Sequence, residues 1–382
     1  MNYIKISRSA FQAKIDSAYR FAGKIQNKIF EQFDESKPYQ TEVVQTVRLT
    51  LSETTLEVSA NDLASGISLT MPVESQEEFS CEVPVKLLQE TVAKSDDETI
   101  SIGVNEKHFV VKSSVGKTSL KLATDTNVTT PAQIATFLTG ITGQELSHAL
   151  SMVAFSAERK VTSNEALMGV CLELEDANMM VLAATDGYRL AKYVARLDWT
   201  QIGREEYEKK IIIPLKTVTN LIATLSKVTT PVSLGMDENR VAIKWEDGYV
   251  SSSLIKANYP DWRRIIPQTT KTQVTFLEGF QNAIKAAKII ARGRDDGPTI
   301  TLDIDSERTL VKSSSDIGNS TIQLTPQTNS EKNLVVSFNG EFLPDHIAGA
   351  ITVDLNEFNT PALFSTQTEP GWSFLLMPVI LK

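Results

Sequence analysis

Histidine and cysteine are scarce in this chain, with three and two residues in 382. His108, His148 and His346 are scattered and show no ligand-like spacing, so a metal site is not expected. Cys81 and Cys171 lie far apart in apolar, strand-like runs, belong to no Cys-x-x-Cys pair and read as buried, reduced thiols. No run approaches the ~18 consecutive apolar residues of a membrane span. The start, Met1-Asn2-Tyr3-Ile4-Lys5, has no apolar signal core, and a cytoplasmic location is expected. Positive charge is also short. The net charge of -9 taken alone argues against nucleic acid, unless the two signs sit on different surfaces.

Recognisable catalytic groupings are missing too. Gly116-Lys117-Thr118-Ser119 resembles the end of a phosphate-binding loop, but Val111 stands where that motif needs glycine, and a β-turn is the better reading. Asp295-Asp296 lies among turn residues, where acids usually face water. Neither Gly-x-Ser-x-Gly nor Gly-x-Gly-x-x-Gly occurs. The chain reads as a non-enzyme needing no cofactor.

What is present is repetition. Val47–Leu51, Thr55–Val58 and Asp62 form strand, turn, strand and Asp turn; Val170–Leu174, Met180–Leu182 and Asp186 repeat it, as do Ile300–Ile304, Thr309–Val311 and Asp316. The Asp positions are 124 and 130 residues apart. A helix precedes each hairpin, carrying Phe11, Ile15, Ala18 and Ala22, then Leu146, Leu150, Val153 and Ala157, then Phe280, Ile284, Ala287 and Ala291. A second helix is expected after each, from Val83-Pro84, Ile213-Pro214 and Phe338-Asn339. The polar, Pro-containing stretches near 130 and 267 give domains 1–130, 131–267 and 268–382, each α+β, with antiparallel sheets and two helices on one face.

On a helical wheel of about 100° per residue, Lys14, Arg20, Lys24 and Lys28 oppose the apolar arc of the first helix. Lys285, Lys288 and Arg292 do so in the third repeat, and Lys216 and Lys227 in the middle one. Residues 10–28 and 278–294 each carry four basic and one acidic side chain, so the helices are basic and the remainder is more acidic than the whole. One such face is ordinary; repeated on one side of repeated sheets, they suggest a basic surface that holds phosphates loosely and without sequence preference.

Four further stretches carry a resemblance. Ala184-Thr185-Asp186-Gly187-Tyr188-Arg189-Leu190-Ala191 resembles the Ala-Thr-Asp-Gly-His-Arg-Leu-Ala signature of bacterial DNA sliding clamps, the β subunits of DNA polymerase III. Tyr259-Pro260-Asp261-Trp262-Arg263-Arg264-Ile265-Ile266-Pro267, Ser337-Phe338-Asn339 and the C-terminal Leu376-Met377-Pro378-Val379-Ile380-Leu381 resemble three other family motifs, in the family's order. The resemblance implies three clamp domains per chain and a head-to-tail homodimeric ring, sheets outside and twelve helices inside, encircling double-stranded DNA. It further implies a pocket for short hydrophobic motifs of the polymerase catalytic subunit, the clamp loader and other replication and repair proteins. Carried over by position, the deeper part of that pocket is Leu167, Thr185, Gly187, Tyr188, Arg189, Leu190, Pro260, Ile265, Leu375 and Met377. The shallower part is Asn339, Phe342, Pro378 and Val379, and Ile289 and Ile290 are expected at the dimer contact.

The chain departs from the family pattern at Tyr188, where His is commoner, at Ile380, where some members have Arg, and across residues 24–46. The alternatives are a paralogous or mobile-element clamp with other partners, a monomeric peptide-binding scaffold, and an enzyme built on the same repeats.

Overall fold

The computed structural model describes residues 3–27, 42–75, 77–123, 128–175, 178–197, 210–292, 298–328 and 333–380. Five α-helices lie in these segments: α1 (Arg8–Phe21), α2 (Val85–Ala93), α3 (Gly143–Ala154), α4 (Leu215–Leu225) and α5 (Phe280–Ala291). The chain clusters into two compact units, residues 1–148 with 197–254, and residues 149–196 with 255–382. The middle repeat is therefore divided between them.

The first unit contains a four-stranded antiparallel sheet (Ile4–Ser7, Thr99–Val104, His108–Ser113, Gly116–Lys121) and a nine-stranded one. The larger sheet is continuous across two repeats because Gly248–Ser253 pairs with Ser65–Pro72, Val250 opposite Ile67. Its hairpin of Glu42–Ser52 and Thr55–Asn61 sets Leu49 opposite Val58, both fully buried. The second unit repeats the plan. A four-stranded sheet (Gly318–Leu324, Thr309–Ser315, Thr299–Ile304, Leu334–Asn339) accompanies a large sheet in which Arg189–Arg196 pairs with Trp372–Leu376. Gly116, expected in a turn, closes the hairpin between His108–Ser113 and Gly116–Lys121.

The helices form where periodicity and caps agree. In α1 the Ser7 hydroxyl accepts from the Ala10 amide at 3.4 Å, and Phe11, Ile15, Ala18 and Phe21 are buried. Thr142 and Glu145 cap α3 reciprocally: Glu145 accepts from the Thr142 amide (2.7 Å) and the Thr142 hydroxyl accepts from the Glu145 amide (3.2 Å). Cys81 and Cys171 are buried and not joined in a disulfide, and burial pushes the Cys81 thiol up to about 12.

Three helical expectations need correction. First, α1 stops at Phe21, so Lys24 lies in the strand Lys24–Asn27 and not on a helix face. The stop is Gly23, whose amide donates to the Asn61 carbonyl (2.9 Å) and where a Cβ would sit 2.9 Å from the Asp62 Cα. Lys28 lies outside the described residues. Second, Ala157 is buried but lies beyond the end of α3. Third, the second helix of the last repeat is reduced to a 3₁₀ turn, Gly340–Phe342. Asn339 starts it by accepting from the Glu341 amide at 3.0 Å. Pro344 then removes the amide that would reach back to Gly340, and its ring would clash with that carbonyl.

Candidate functional site

In the second unit the family-like motif forms a tight turn between the strands Met179–Thr185 and Arg189–Arg196. Asp186 Oδ1 accepts from the amides of Tyr188 and Arg189, both at 3.0 Å, and Oδ2 pairs with Arg189 Nε at 2.9 Å. The Thr185 hydroxyl donates to the Arg189 carbonyl (2.6 Å) and accepts from the Gly187 amide (3.1 Å). Gly187 has φ +90°, and a Cβ there would meet no atom within 4 Å; only backbone conformation asks for glycine.

The C-terminal segment is stitched beside this turn. The Met377 amide donates to the Tyr188 carbonyl (2.9 Å) and the Val379 amide to the Ser337 carbonyl (2.7 Å). Ser337 leads to Asn339 and Phe342, and the Arg189 guanidinium lies 4.1 Å above the Phe342 ring. The structure thus brings together Gly187, Tyr188, Arg189, Asn339, Phe342, Met377, Pro378 and Val379. Tyr188 is 67% exposed and Met377 41%, beside the exposed Val379, so apolar surface faces solvent around one fixed cation.

Other expected residues have different surroundings. Leu190 and Leu375 face each other across paired strands and are buried; they are core beneath the site and do not line it. Thr185 is buried as well and orders the turn. Burial holds the Tyr259 phenol protonated by raising its pKa. Its hydroxyl donates to the Ala183 carbonyl (3.3 Å), which sets half-buried Pro260 against the strand ending at Thr185. Arg263 joins Glu173 (2.6 Å) and Glu175 (2.5 Å) and stacks on Trp262 at 4.2 Å, anchoring the 3₁₀ turn Trp262–Ile265. Ile265 at its end is 51% exposed, and Leu167 is half-buried.

Sequence reasoning missed Phe155 and His346. Phe155 lies 6.0 Å from the Arg189 guanidinium, and its ring meets His346 edge-on at 4.5 Å. Both belong to segments with no motif, so no local signal pointed to them.

Of the basic residues, Arg20, Lys216, Lys227, Lys285 and Arg292 are exposed. Lys14 is ion-paired to Asp247, Lys216 to Asp62 and Arg292 to Glu341 (3.0 Å). Lys288 corrects the wheel reading. It is buried, pairs with Asp345 at 2.9 Å and donates to the Leu343 carbonyl at 3.3 Å. At about 100° per residue, its position lies next to the arc of Ile284 and Ala291, not opposite it. Ile289 is 69% exposed and Ile290 half-buried. Among the described residues no cluster of metal-ligating side chains occurs, and no helix is long and apolar enough to cross a membrane.

Residues 140–261 match the sequence model of the DNA polymerase III beta subunit, central domain. The beta sliding clamp of Vibrio cholerae is 26% identical over 229 residues, which cover 56% of this chain and 58% of that protein, less than two thirds of its length. Those of Synechococcus elongatus (21% identity, 86% and 88% covered) and Haemophilus influenzae (22%, 88% and 90%) align along most of both chains. The solved β subunit of Thermotoga maritima superimposes with a TM-score of 0.84 at 21% identity, covering 100% of both chains. A sliding clamp of Bartonella birtlesii, solved bound to griselimycin, gives 0.83 at 21% identity with 99% of both covered. At these identities the solved structures speak to the fold, which is shared from end to end. The central-domain match and the curated relatives extend this likeness, in sequence as well as in fold, to bacterial sliding clamps, the β subunits of DNA polymerase III.

Proposed function

We propose that the chain is a non-catalytic processivity factor. Two copies close head to tail around duplex DNA and tether the polymerase catalytic subunit, the clamp loader and other replication and repair proteins in the cytoplasm. The end-to-end likeness to β-subunit structures carries this reading. Its repeats are 1–130, 131–267 and 268–382. The shortened last helix lowers the expected inner set from twelve to ten. The exposed Ile289, with Ile290 beside it, supplies apolar surface for the contact between copies. The Tyr188–Arg189 turn, Phe342 and the Met377–Val379 segment form the groove for a partner's hydrophobic motif. Exposed apolar side chains around one stacked guanidinium suit such a peptide.

The test is retention on DNA of different topology. The protein is loaded by a cognate loader onto nicked circles and passed through a sizing column in high salt. Retention on circles that is lost when they are cut means topological linkage. Equal retention on circular and linear DNA, or loss of both in salt, means ordinary electrostatics and no ring. A paralogous clamp with other partners is favoured by one feature, the pair of departures at the groove: Tyr188 in the motif and the truncated helix after Asn339. Affinity for the host polymerase's own clamp-binding peptide separates the two.

A further inference from the structure

Counting cations on the helices overstates what they offer to phosphate. In the first unit Lys14 of α1 pairs with Asp247, which lies in the turn before Gly248–Ser253, and Lys216 of α4 pairs with Asp62, which lies in the turn before Ser65–Pro72. The two pairs run in opposite directions across the place where those strands join the repeats. Each pair joins one sheltered side chain, Lys14 at 14% exposed and Asp62 at 7%, to an exposed partner, Asp247 at 51% and Lys216 at 65%. The Lys216 ammonium and the Ser65 amide and hydroxyl outweigh burial and hold the Asp62 carboxyl below its usual range, so it stays charged. In the second unit the segment replacing the lost helix brings its own acids to α5, Asp345 to Lys288 and Glu341 to Arg292. Arg20, Lys227 and Lys285 are exposed and make no ion pair among the described residues.

We propose that the basic face is divided into two sets: Lys14, Lys216, Lys288 and Arg292 are engaged by acids of this chain, while Arg20, Lys227 and Lys285 meet DNA phosphate. A paired cation that turned to phosphate would exchange one anion for another and leave its own carboxylate facing the DNA, so the exchange gains little. An unpaired cation releases a condensed counterion and gains the full term. The protein therefore holds duplex DNA more loosely than its helix charges suggest, as a sliding protein requires. This rests on the proposed DNA-encircling role.

The test compares variants of equal net charge, using full-length protein, a fluorescent linear duplex and a salt series. K14M/D247N removes a paired cation with its acid. R20Q/E246Q removes an unpaired cation from the same helix and an acid from the same turn as Asp247. A second comparison, R292M/E341Q against K285Q/E278Q, uses exposed residues on and beside α5 and stands if the first double variant does not fold. With a log–log slope of about -0.9 per phosphate, one contact is worth about eightfold at about 0.1 M salt relative to 1 M. The expected result is that K14M/D247N and R292M/E341Q keep wild-type affinity within about twofold and keep the salt slope, while each partner variant loses about 0.9 of slope. D247N and E341Q alone, which free a cation, gain affinity and so report even where wild-type binding is weak. Equal losses in the matched variants, or no gain in the acid variants, overturn the division. Retention on circles is scored separately. Failure there with the expected division removes the ring and leaves the two sets standing.

Discussion

Replacing Arg189 by alanine tests the groove most directly. The guanidinium has two jobs: it stacks on Phe342 at 4.1 Å and it closes the Asp186 turn at 2.9 Å. The Asp186 side chain is 8% exposed but keeps two amide donors after the change, so the turn survives. Losing the stacking costs about 1 kcal/mol, and leaving a nearly buried carboxylate without its cation costs about 1–2 kcal/mol more. Binding should suffer at least as much, because the cation is the one charged group fixed among exposed apolar side chains. An arginine at such a centre is worth about 2 kcal/mol, or about 30-fold in Kd. Fluorescence polarisation with a short peptide carrying two apolar side chains reads the affinity. Hydrogen exchange at the Met377 and Val379 amides reports whether the C-terminal segment stays docked. R189K should fall between, since it keeps charge but not the planar fork. Wild-type affinity in R189A, with both amides still protected, would refute the argument that this turn is the peptide site.

Three other outcomes follow from the geometry. The Asp62 pKa is depressed, so its pairing with Lys216 stabilises fully above the ordinary carboxylate value of about 3.9 and is lost as pH falls through the lower folded value. Urea midpoints for D62N should be lower than wild type near neutrality and converge with it below about pH 4; parallel curves throughout sink the linkage. Gly235→Ala places a Cβ 2.2 Å from the Ala135 carbonyl oxygen and should cost about 1–3 kcal/mol by forcing backbone apart, whereas Gly187→Ala meets no neighbour and should cost only about 1 kcal/mol for its positive φ; comparable denaturation midpoints for the two contradict this. Ile289→Asp should shift sedimentation from two chains to one at unchanged circular dichroism, and an undisturbed dimer removes Ile289 from the contact.

Much of the fold was legible because it rests on local periodicity. The hairpins pair as read, with Leu172 opposite Leu182 and Leu302 opposite Val311, and α1 and α5 bury the anticipated faces. The errors arose where a breaker outweighed periodicity, as at Gly23 and Pro344, or where a wheel position lay on the edge of an arc, as at Lys288. Of the proposed groove, the turn residues come from one contiguous motif, while Phe155 and His346 come from distant segments and only folding brings them near Arg189. Resemblance could name Leu190 and Leu375 but not their depth, which depends on pairing across two repeats.

The turn that carries Arg189 is not special in itself. Asp305 builds the same one, accepting from the Glu307 amide (2.9 Å) and the Arg308 amide (2.8 Å) while pairing with Arg308 Nε at 3.1 Å. Asp237 accepts likewise from the amides of Asn239 and Arg240, both at 2.7 Å. An aspartate with an arginine three residues on is therefore a hairpin device in this chain, and its occurrence marks no site. What distinguishes Arg189 is its surroundings: an aromatic ring beneath the guanidinium and a C-terminal segment hydrogen-bonded to the preceding residue, Tyr188. The Arg308 side chain is 53% exposed and its ion pair is worth little. R308A should therefore leave peptide affinity unchanged and shift stability by less than about 0.5 kcal/mol, where R189A changes both. If R308A weakens the peptide as R189A does, the loss reflects general charge, and the ring and the docked segment are not what make the groove.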